Sequence, residues 1–140
     1  MLFLDVDGLK PVNDLYGHAV GDLLLQEMAR ALRGVFRGED IVARLGGDEF
    51  VVLAIGDNLD ASELINRLLQ EMEAVSRDRA PDHPLADQGL QASVGAVSYD
   101  PEATMAELLA HADAAMYRSK LLRRAPTPRS SPERSTVSSP

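Results

Sequence analysis

The spacing of apolar residues along the chain predicts the element order β-α-β-β-α-β-α. A bulky apolar run at residues 2–6 ends abruptly in acids and Gly8, which is typical of a short buried strand. Three later segments carry apolar residues at helical intervals, and Gly17 and Gly21 make the start of the first of these helices irregular. The predicted helices include residues 24–36, 60–72 and 108–116, and the other predicted strands are residues 41–45, 50–55 and 90–98.

Two of the predicted strands are separated only by Gly46-Gly47-Asp48-Glu49. Paired glycines supply the positive φ angles that a tight turn needs, so this segment predicts a β-hairpin. The first six elements then match the ferredoxin-like βαββαβ arrangement, an α+β fold, followed by an extra C-terminal helix. In that topology the first strand lies beside the third in the centre of the sheet. We therefore expect Asp5 and Asp7 to meet Asp48 and Glu49 at one sheet edge.

The composition fits one globular domain, with 45% hydrophobic and 26% charged residues in a chain of 140. The absence of cysteine excludes disulfides and thiolate metal sites. No apolar stretch approaches the length of a membrane span and no signal-peptide pattern opens the chain, so we expect a cytoplasmic protein without membrane contact. We expect the domain at residues 1–124 and a disordered Pro/Ser-rich tail at residues 125–140.

The formal net charge of −8 conceals an uneven distribution of charge. From Arg118 onward there are six basic residues and a single acid, Glu133, so the preceding part of the chain is strongly acidic. An acidic body argues against nucleic-acid binding, which needs a broad basic face. The local basic cluster suits a metal-bound polyphosphate, and the alternative is a solvated helix end followed by a charged tail.

Carboxylates brought together at one sheet edge repel one another and are costly unless a cation neutralises them. Magnesium suits this role because it is a hard ion that takes carboxylate and phosphate oxygens together. Two such ions can bind a triphosphate, lower the pKa of an attacking hydroxyl and stabilise the leaving pyrophosphate. Taken singly, an acid pair at a strand end is more often a cap or a solvated turn, and a Gly-Gly-Asp segment is more often only a turn.

The segment Gly46-Gly47-Asp48-Glu49-Phe50 follows Ile41-Val42-Ala43-Arg44-Leu45 and is surrounded by other short motifs. These are Asp5-Val6-Asp7-Gly8-Leu9-Lys10, Val12-Asn13-Asp14, Gly17-His18, Gly21-Asp22, Ser93-Val94-Gly95, Ala112-Asp113, Ala115-Met116-Tyr117 and Lys120. In this order the motifs resemble those of the GGDEF family of diguanylate cyclases, over about residues 1–124. The resemblance implies a palm of the nucleotide-cyclase and polymerase type that condenses two GTP molecules into cyclic di-GMP, with release of pyrophosphate.

The resemblance also implies magnesium, two ions per active site, with manganese as an alternative ion. Asp5, the Val6 carbonyl and Asp48 would ligate the metal, assisted by Glu49. Either Asp48 or Glu49 would help to deprotonate the 3′-hydroxyl, and the sequence leaves both open. Asp7 would support the site without binding metal. Catalysis would need a homodimer, because two GTP-loaded sites must face each other antiparallel.

Five further residues would bind the substrate GTP if the resemblance holds. Asn13 and Asp22 would read the guanine edge, as an amide and a carboxylate can, and His18 would lie near the nucleotide. Lys120 and Arg124, four positions apart on the last helix, would hold phosphates. The structural alternatives are helix capping near Asn13, a first-turn acid at Asp22, a structural His18, and cations that favour a helix C-terminus.

Arg37-Gly38-Glu39-Asp40 matches the RxxD inhibitory site of the family in its register with Gly46. Arg37 and Asp40 would there bind the product, cyclic di-GMP, through phosphate and guanine contacts. Arg67, on the following helix, is a weaker candidate for the opposing surface. As an isolated pattern, RxxD would be solvated charge.

The chain departs from the family pattern at both ends of the matching region. The family's domain normally begins with a helix and an Asp-x-Leu-Thr type segment before the first strand, where this sequence starts. Without that helix we expect apolar surface to be exposed on one sheet face and turnover to be slow. Arg123 and Ala125 stand where the family has glycine and asparagine.

Two other interpretations compete with the cyclase. In the first, catalysis is impaired and the chain acts as a cyclic di-GMP binding module through Arg37 and Asp40. In the second, Asp5-Val6-Asp7-Gly8 resembles the opening of haloacid-dehalogenase phosphatases, in which the first aspartate is a nucleophile. That family needs a Rossmann-like βαβ order, which the predicted hairpin fits badly.

Overall fold

The structure, a computed structural model, describes residues 1–124. Its strands are β1 (Leu2–Val6), β2 (Ile41–Gly46), β3 (Glu49–Leu53) and β4 (Ala92–Ala96). Its helices are α1 (Leu9–Tyr16), α2 (His18–Val35), α3 (Ala61–Arg77) and α4 (Met105–Arg124). The tail predicted at residues 125–140 lies outside the described residues. None of the helices in the described part of the chain is long and apolar enough to cross a membrane.

The sheet has the strand order β2-β3-β1-β4, with every neighbouring pair antiparallel. This is the order of the ferredoxin-like fold, so the predicted α+β palm with an additional C-terminal helix is confirmed. Leu2 of β1 pairs with Val52 on one side and with Ala96 on the other. The haloacid-dehalogenase interpretation is wrong, because its βαβ units require parallel strands.

The alternation of side chains along β1 divides the core into two parts. Leu2, Leu4 and Val6 face α2 and α3 and belong to the larger cluster of buried residues. Phe3 belongs to a smaller cluster on the opposite face, where Ala112 and Met116 of α4 cover it. Asp5 lies on the same face as Phe3, so its carboxylate points to the side of the sheet that α4 covers.

The face covered by α4 is left partly open over β2. Ala43 of β2 packs into the smaller cluster. Ile41 and Leu45, which flank it at the same side-chain period, are each 53% exposed. Apolar side chains of β2 are therefore exposed on this face of the sheet.

The helix predicted after β1 is divided into two helices, α1 and α2. Gly17 separates them with φ of 86°, a left-handed conformation that a side chain would strain. The sequence pattern missed α1 as a separate element because its single buried residue, Val12, gives no apolar period. The start of α3 matches expectation, since Asp60 accepts hydrogen bonds from the amides of Ser62 and Glu63.

Two strands are shorter than their apolar runs, because strand length is set by the partner strand. β4 is restricted to Ala92–Ala96, which matches the five residues of β1 that it pairs with. β3 ends at Leu53, the residue opposite Ile41, where β2 begins. Beyond β4, Val97 still exchanges backbone hydrogen bonds with Met1, whereas beyond β3 the Ile55 amide donates to the Asp40 carboxylate and not to a strand.

The long connection between α3 and β4 is fixed to α2 by a buried ion pair that the sequence did not reveal. Arg79 donates from Nε to Glu27 Oε1 at 3.0 Å, and the two side chains are only 3% and 12% exposed. The same guanidinium donates to the carbonyls of Leu85 and Gln88. A buried pair of this kind is costly to break, because the remaining charge is left without a partner. The connection therefore follows a defined path to β4.

Helix α4 approaches the sheet closely at Gly95 of β4. A Cβ atom at this position would lie 2.2 Å from the amide nitrogen of Met116 and 2.3 Å from the carbonyl oxygen of Ala112. At the start of the helix, the Thr104 amide and hydroxyl donate to Glu107, and these bonds lower the pKa of that carboxyl. Close packing and the cap together fix the register of α4 on the sheet.

Candidate active site

The end of β1 and the hairpin between β2 and β3 meet at one edge of the sheet. Asp5 lies directly opposite Glu49 in the β1–β3 ladder, and the Val6 amide donates to the Asp48 carbonyl at 2.8 Å. Residues opposite each other on antiparallel strands point to the same face, so Asp5 and Glu49 share the face covered by α4. The structure thus brings together the segments that the topology predicted would meet.

The hairpin turn is tight, and the side chain of Arg44 supports it. Gly47 has φ of 51°, which glycine adopts without strain. Arg44 donates from Nε to the Gly47 carbonyl at 2.9 Å, and the register shifts between Arg44 and Gly46. The irregularity at the end of β2 orients the backbone that carries Asp48.

Asp5 is paired with a lysine from the last helix. Lys120 Nζ lies 2.7 Å from Asp5 Oδ1, and the two side chains are 23% and 13% exposed. The pair joins residues 115 positions apart in the sequence. Lys120, predicted to hold phosphate, therefore reaches the carboxylate edge and contacts a predicted metal ligand.

Asp7 is held by a buried serine whose role the sequence did not reveal. Ser93 is 1% exposed, and its hydroxyl lies 3.2 and 3.3 Å from the two carboxylate oxygens of Asp7. The Asp7 amide donates to the Gln91 carbonyl at 2.9 Å. Ser93 stands opposite Asp5 in the β1–β4 ladder. A polar residue in a buried strand beside two acids was the available signal.

The donors at this edge fit a metal that arrives with a phosphate ligand. Within residues 1–124, no group of three or more His, Cys, Asp or Glu side chains is arranged to hold a metal ion. Magnesium, however, is commonly bound by one or two carboxylates together with substrate phosphates rather than by an all-protein cage. The largely buried Asp5 carboxylate, already facing a cation, and the Asp48 turn supply such hard oxygen donors.

Asn13 and Gly21 lie against each other where α1 meets α2. The Asn13 Oδ1 atom is buried and has no hydrogen-bond partner among the described residues. A Cβ atom on Gly21 would lie 1.8 Å from Oδ1, so only glycine leaves room for this side chain. Buried polar atoms are normally satisfied, so an unpaired one is available for a ligand.

The neighbouring Asp22 lines an open pocket of about 310 Å³ between α2 and the hairpin. The capping alternatives for Asn13 and Asp22 are wrong: the caps of α1 and α2 are glycines, and Asp22 lies beyond the first turn of α2.

His18 is exposed at the first position of α2. Arg124 is the last residue of α4, and its side chain lies outside the described part of the structure.

Arg37, Asp40 and Arg67 line a second pocket, of about 240 Å³, next to the start of β2 and the end of β3. The Asp40 carboxylate accepts hydrogen bonds from the amides of Arg37 and Ile55, each at 2.8 Å. Arg67 donates to the Val35 carbonyl at 3.2 Å. The interpretation of Asp40 as simple solvated charge is wrong, because its carboxylate closes the turn before β2.

The combination of this palm fold with the carboxylate edge and its Gly-Gly-Asp-Glu turn defines a class of nucleotide-cyclase domains. The family described as "Diguanylate cyclase, GGDEF domain" matches residues 1–125, so the chain belongs to the GGDEF family.

The chain is similar to longer proteins of this family. It is 42% identical over 125 residues to the bifunctional diguanylate cyclase/cyclic di-GMP phosphodiesterase MucR of Pseudomonas aeruginosa, covering 86% of this chain and 17% of MucR. Its fold matches the diguanylate cyclase SiaD of the same species, solved with its activator SiaC, with a TM-score of 0.75, 34% identity and coverage of 86% and 45%.

The GGDEF domain of DgcB from Caulobacter crescentus, solved in complex with cyclic di-GMP, also matches. The TM-score is 0.68 and the identity 26%, and the match covers 86% of this chain and 70% of that one. The chain spans less than a fifth of MucR and under half of SiaD.

Proposed function

We propose that the chain is a diguanylate cyclase domain that condenses two GTP molecules into cyclic di-GMP. The observation that carries this proposal is the meeting of Asp5, Asp48 and Glu49 at one sheet edge, with the ammonium group of Lys120 beside them. A carboxylate edge with an adjacent cation suits the transfer of a metal-bound phosphoryl group. Membership of the GGDEF family supports the same reaction.

The reaction joins two nucleotides through two equivalent transfers. The 3′-hydroxyl oxygen of one GTP attacks the α-phosphorus of the other, a new P–O bond forms, and the bond to the bridging oxygen of the pyrophosphate breaks. The proton of the hydroxyl passes to a carboxylate, Asp48 or Glu49. A second transfer in the opposite direction closes the ring. Two pyrophosphates leave for each cyclic di-GMP formed.

Each side chain has a defined task in this scheme. The Asn13 amide and the Asp22 carboxylate bind the guanine edge, with the carboxylate accepting from N1 and the exocyclic amine. His18 borders the nucleotide, and Lys120 and Arg124 bind its phosphates. Asp5, the Val6 carbonyl and Asp48, with help from Glu49, would hold two magnesium ions, which would supply charge neutralisation and activation of the hydroxyl.

The scheme requires two copies of the chain. One copy offers one guanine-binding pair, Asn13 and Asp22, and one carboxylate edge, so it binds one GTP. Two GTP-loaded copies must face each other antiparallel to bring each hydroxyl to the opposite α-phosphorus. We therefore expect the rate per chain to rise with chain concentration, and a monomer with full turnover at low concentration would contradict the scheme.

The direct test is to incubate the purified chain at high concentration with GTP and magnesium. Cyclic di-GMP and pyrophosphate are then measured in parallel, and the expected ratio is one cyclic product for two pyrophosphates. A folded chain that yields neither product would overturn the proposal. The result would then favour the binding-module interpretation.

Replacing Gly21 with alanine should weaken GTP binding with little loss of the maximal rate. The added Cβ overlaps the position of Asn13 Oδ1, so the amide that binds guanine must move. We expect the KM for GTP to rise about tenfold or more, the cost of one misplaced hydrogen-bonding group.

Gly34→Ala is the matched control because it lies in the same helix and meets only the flexible end of the Glu71 side chain. An equal rise in KM in both variants would contradict the role of Gly21.

We propose a second activity, binding of cyclic di-GMP at the pocket formed by Arg37, Asp40 and Arg67. Two arginines line this pocket together with the acids Glu39 and Asp40, and the arginine side chains offer donors to a phosphate-containing ligand. Product bound there would inhibit the cyclase. Binding of cyclic di-GMP would be the sole function of the chain if catalysis were impaired. The similar DgcB domain was solved in complex with cyclic di-GMP, which supports binding of this ligand by the chain.

Replacing Arg37 with alanine should relieve product inhibition without loss of stability. Its guanidinium makes no hydrogen bond or ion pair within residues 1–124, whereas Asp40 cannot be replaced without loss of two backbone contacts. We expect the inhibition constant for cyclic di-GMP to rise about tenfold or more, as befits a lost charge-assisted contact.

The control is Arg33→Ala, which removes an exposed arginine from the preceding helix. Unchanged inhibition in Arg37→Ala would rule out this pocket as the inhibitory site.

A further inference from the structure

The ion pair between Lys120 and Asp5 occupies the carboxylate that the proposed reaction needs for metal. Lys120 Nζ lies 2.7 Å from Asp5 Oδ1, and both side chains are largely withdrawn from solvent. No other ion pair in the described part of the chain involves Asp5, Asp48 or Glu49. The ammonium group is therefore the cation that neutralises this largely buried carboxylate.

We propose that Lys120 is an exchangeable counter-ion that keeps magnesium from binding Asp5 until a nucleotide arrives. This inference rests on the proposed function and assigns a regulation to the same site. A divalent ion and an ammonium group cannot both lie against one carboxylate oxygen without strong repulsion. Metal that binds this oxygen must therefore displace Lys120, and without nucleotide there is no phosphate to receive the displaced ammonium beside the ion.

Nucleotide changes this balance because it brings its own negative charge. The triphosphate offers acceptors for the displaced ammonium, so Lys120 exchanges a carboxylate for a phosphate as the metal takes Asp5. The flexible four-carbon stem of lysine allows this movement while the backbone of α4 stays in place. Metal and nucleotide should accordingly bind with positive coupling, each raising the affinity for the other.

The test measures binding of Mn²⁺ to the full chain without nucleotide, by the electron paramagnetic resonance signal of the free ion. The variants are Lys120→Met, which keeps the length of the side chain and removes its charge, and Lys120→Gln as a second uncharged variant. Arg33→Met is the matched control, since it removes the same charge from the last turn of α2, remote from Asp5. Asp5→Asn tests whether the measured Mn²⁺ binds at Asp5.

We expect both uncharged variants to bind Mn²⁺ alone about tenfold more tightly than the unmodified chain. A GTP analogue with a non-hydrolysable α,β-bridge should bind about tenfold more weakly to them in the presence of Mn²⁺, because a phosphate contact is lost. The control should change neither affinity. Tighter binding of Mn²⁺ together with weaker binding of the GTP analogue is a result that a merely structural Lys120 would not give.

Thermal unfolding gives an independent measure if the variants are less stable. Mn²⁺ alone should raise the Tm of the uncharged variants by more than it raises that of the unmodified chain, since it replaces the missing cation. Equal or weaker Mn²⁺ binding in both variants would overturn the proposal. Failure of the cyclase proposal would be distinguishable. The unmodified chain would then make no cyclic di-GMP, while the uncharged variants would still bind Mn²⁺ more tightly than it does.

Discussion

Replacing Asp48 with alanine should reduce cyclic di-GMP formation by at least about a thousandfold, the scale of loss when a group acting only in the transition state is removed. Asp48 lies in the turn beside the end of β1, where its carboxylate is a proposed metal ligand and a candidate base. Its backbone carbonyl, which accepts from the Val6 amide, is retained in the variant. The fold should therefore persist while the rate is lost, as measured by initial rates at saturating GTP.

Asp57→Ala is the matched control for this variant. Asp57 is an exposed acid beyond the opposite end of β3, so its removal makes the same change in net charge away from the site. We expect it to retain the activity of the unmodified chain. Substantial activity in Asp48→Ala would exclude this carboxylate from both of its proposed roles and transfer them to Glu49.

Replacing Gly95 with alanine should lower the free energy of unfolding by about 3 kcal/mol, the upper range for overpacking a core. The new methyl group would meet backbone atoms of Ala112 and Met116, which cannot yield as the end of a side chain can. Displacement of α4 would also withdraw Lys120 from Asp5, so activity should fall together with stability. Urea denaturation of the variant provides the measurement.

Gly38→Ala is the control for the effect of adding a methyl group to a glycine. A Cβ atom there has no neighbour within 4 Å, and its backbone is outside the left-handed region. We expect a change in unfolding free energy of less than about 0.5 kcal/mol, as for most surface substitutions. A Gly95→Ala chain as stable as Gly38→Ala would show that α4 packs more loosely than the structure indicates.

Local sequence signals sufficed for much of the fold. The Gly-Gly turn, the apolar run of β1 and the helical periods of α2 and α3 led to the correct topology. The division at Gly17 was visible only as irregularity, since a short helix with one buried residue carries no period. The true lengths of β3 and β4 were hidden because they depend on the partner strand.

The candidate site was predictable where it follows from topology and hidden where it follows from packing. The meeting of Asp5 with the Asp48 turn follows from placing β1 beside β3. The pairing of Lys120 with Asp5 depends on how α4 lies across the sheet, which no local pattern encodes. The contact between Gly21 and Asn13 likewise needs the angle between two helices.

The central position of β1 has a consequence for how the chain reaches its native state. Its residues pair with β4, with Leu2 opposite Ala96, and Asp5 pairs with Lys120, which lies still farther along the chain. Such a high contact order slows folding, because long loops must close before the pairing is rewarded. During synthesis on the ribosome, β1 therefore emerges long before its partner and depends on protection from aggregation. Lys120 joins the carboxylate edge only after α4 docks, so under the proposed function a nascent or incompletely folded chain would not consume GTP.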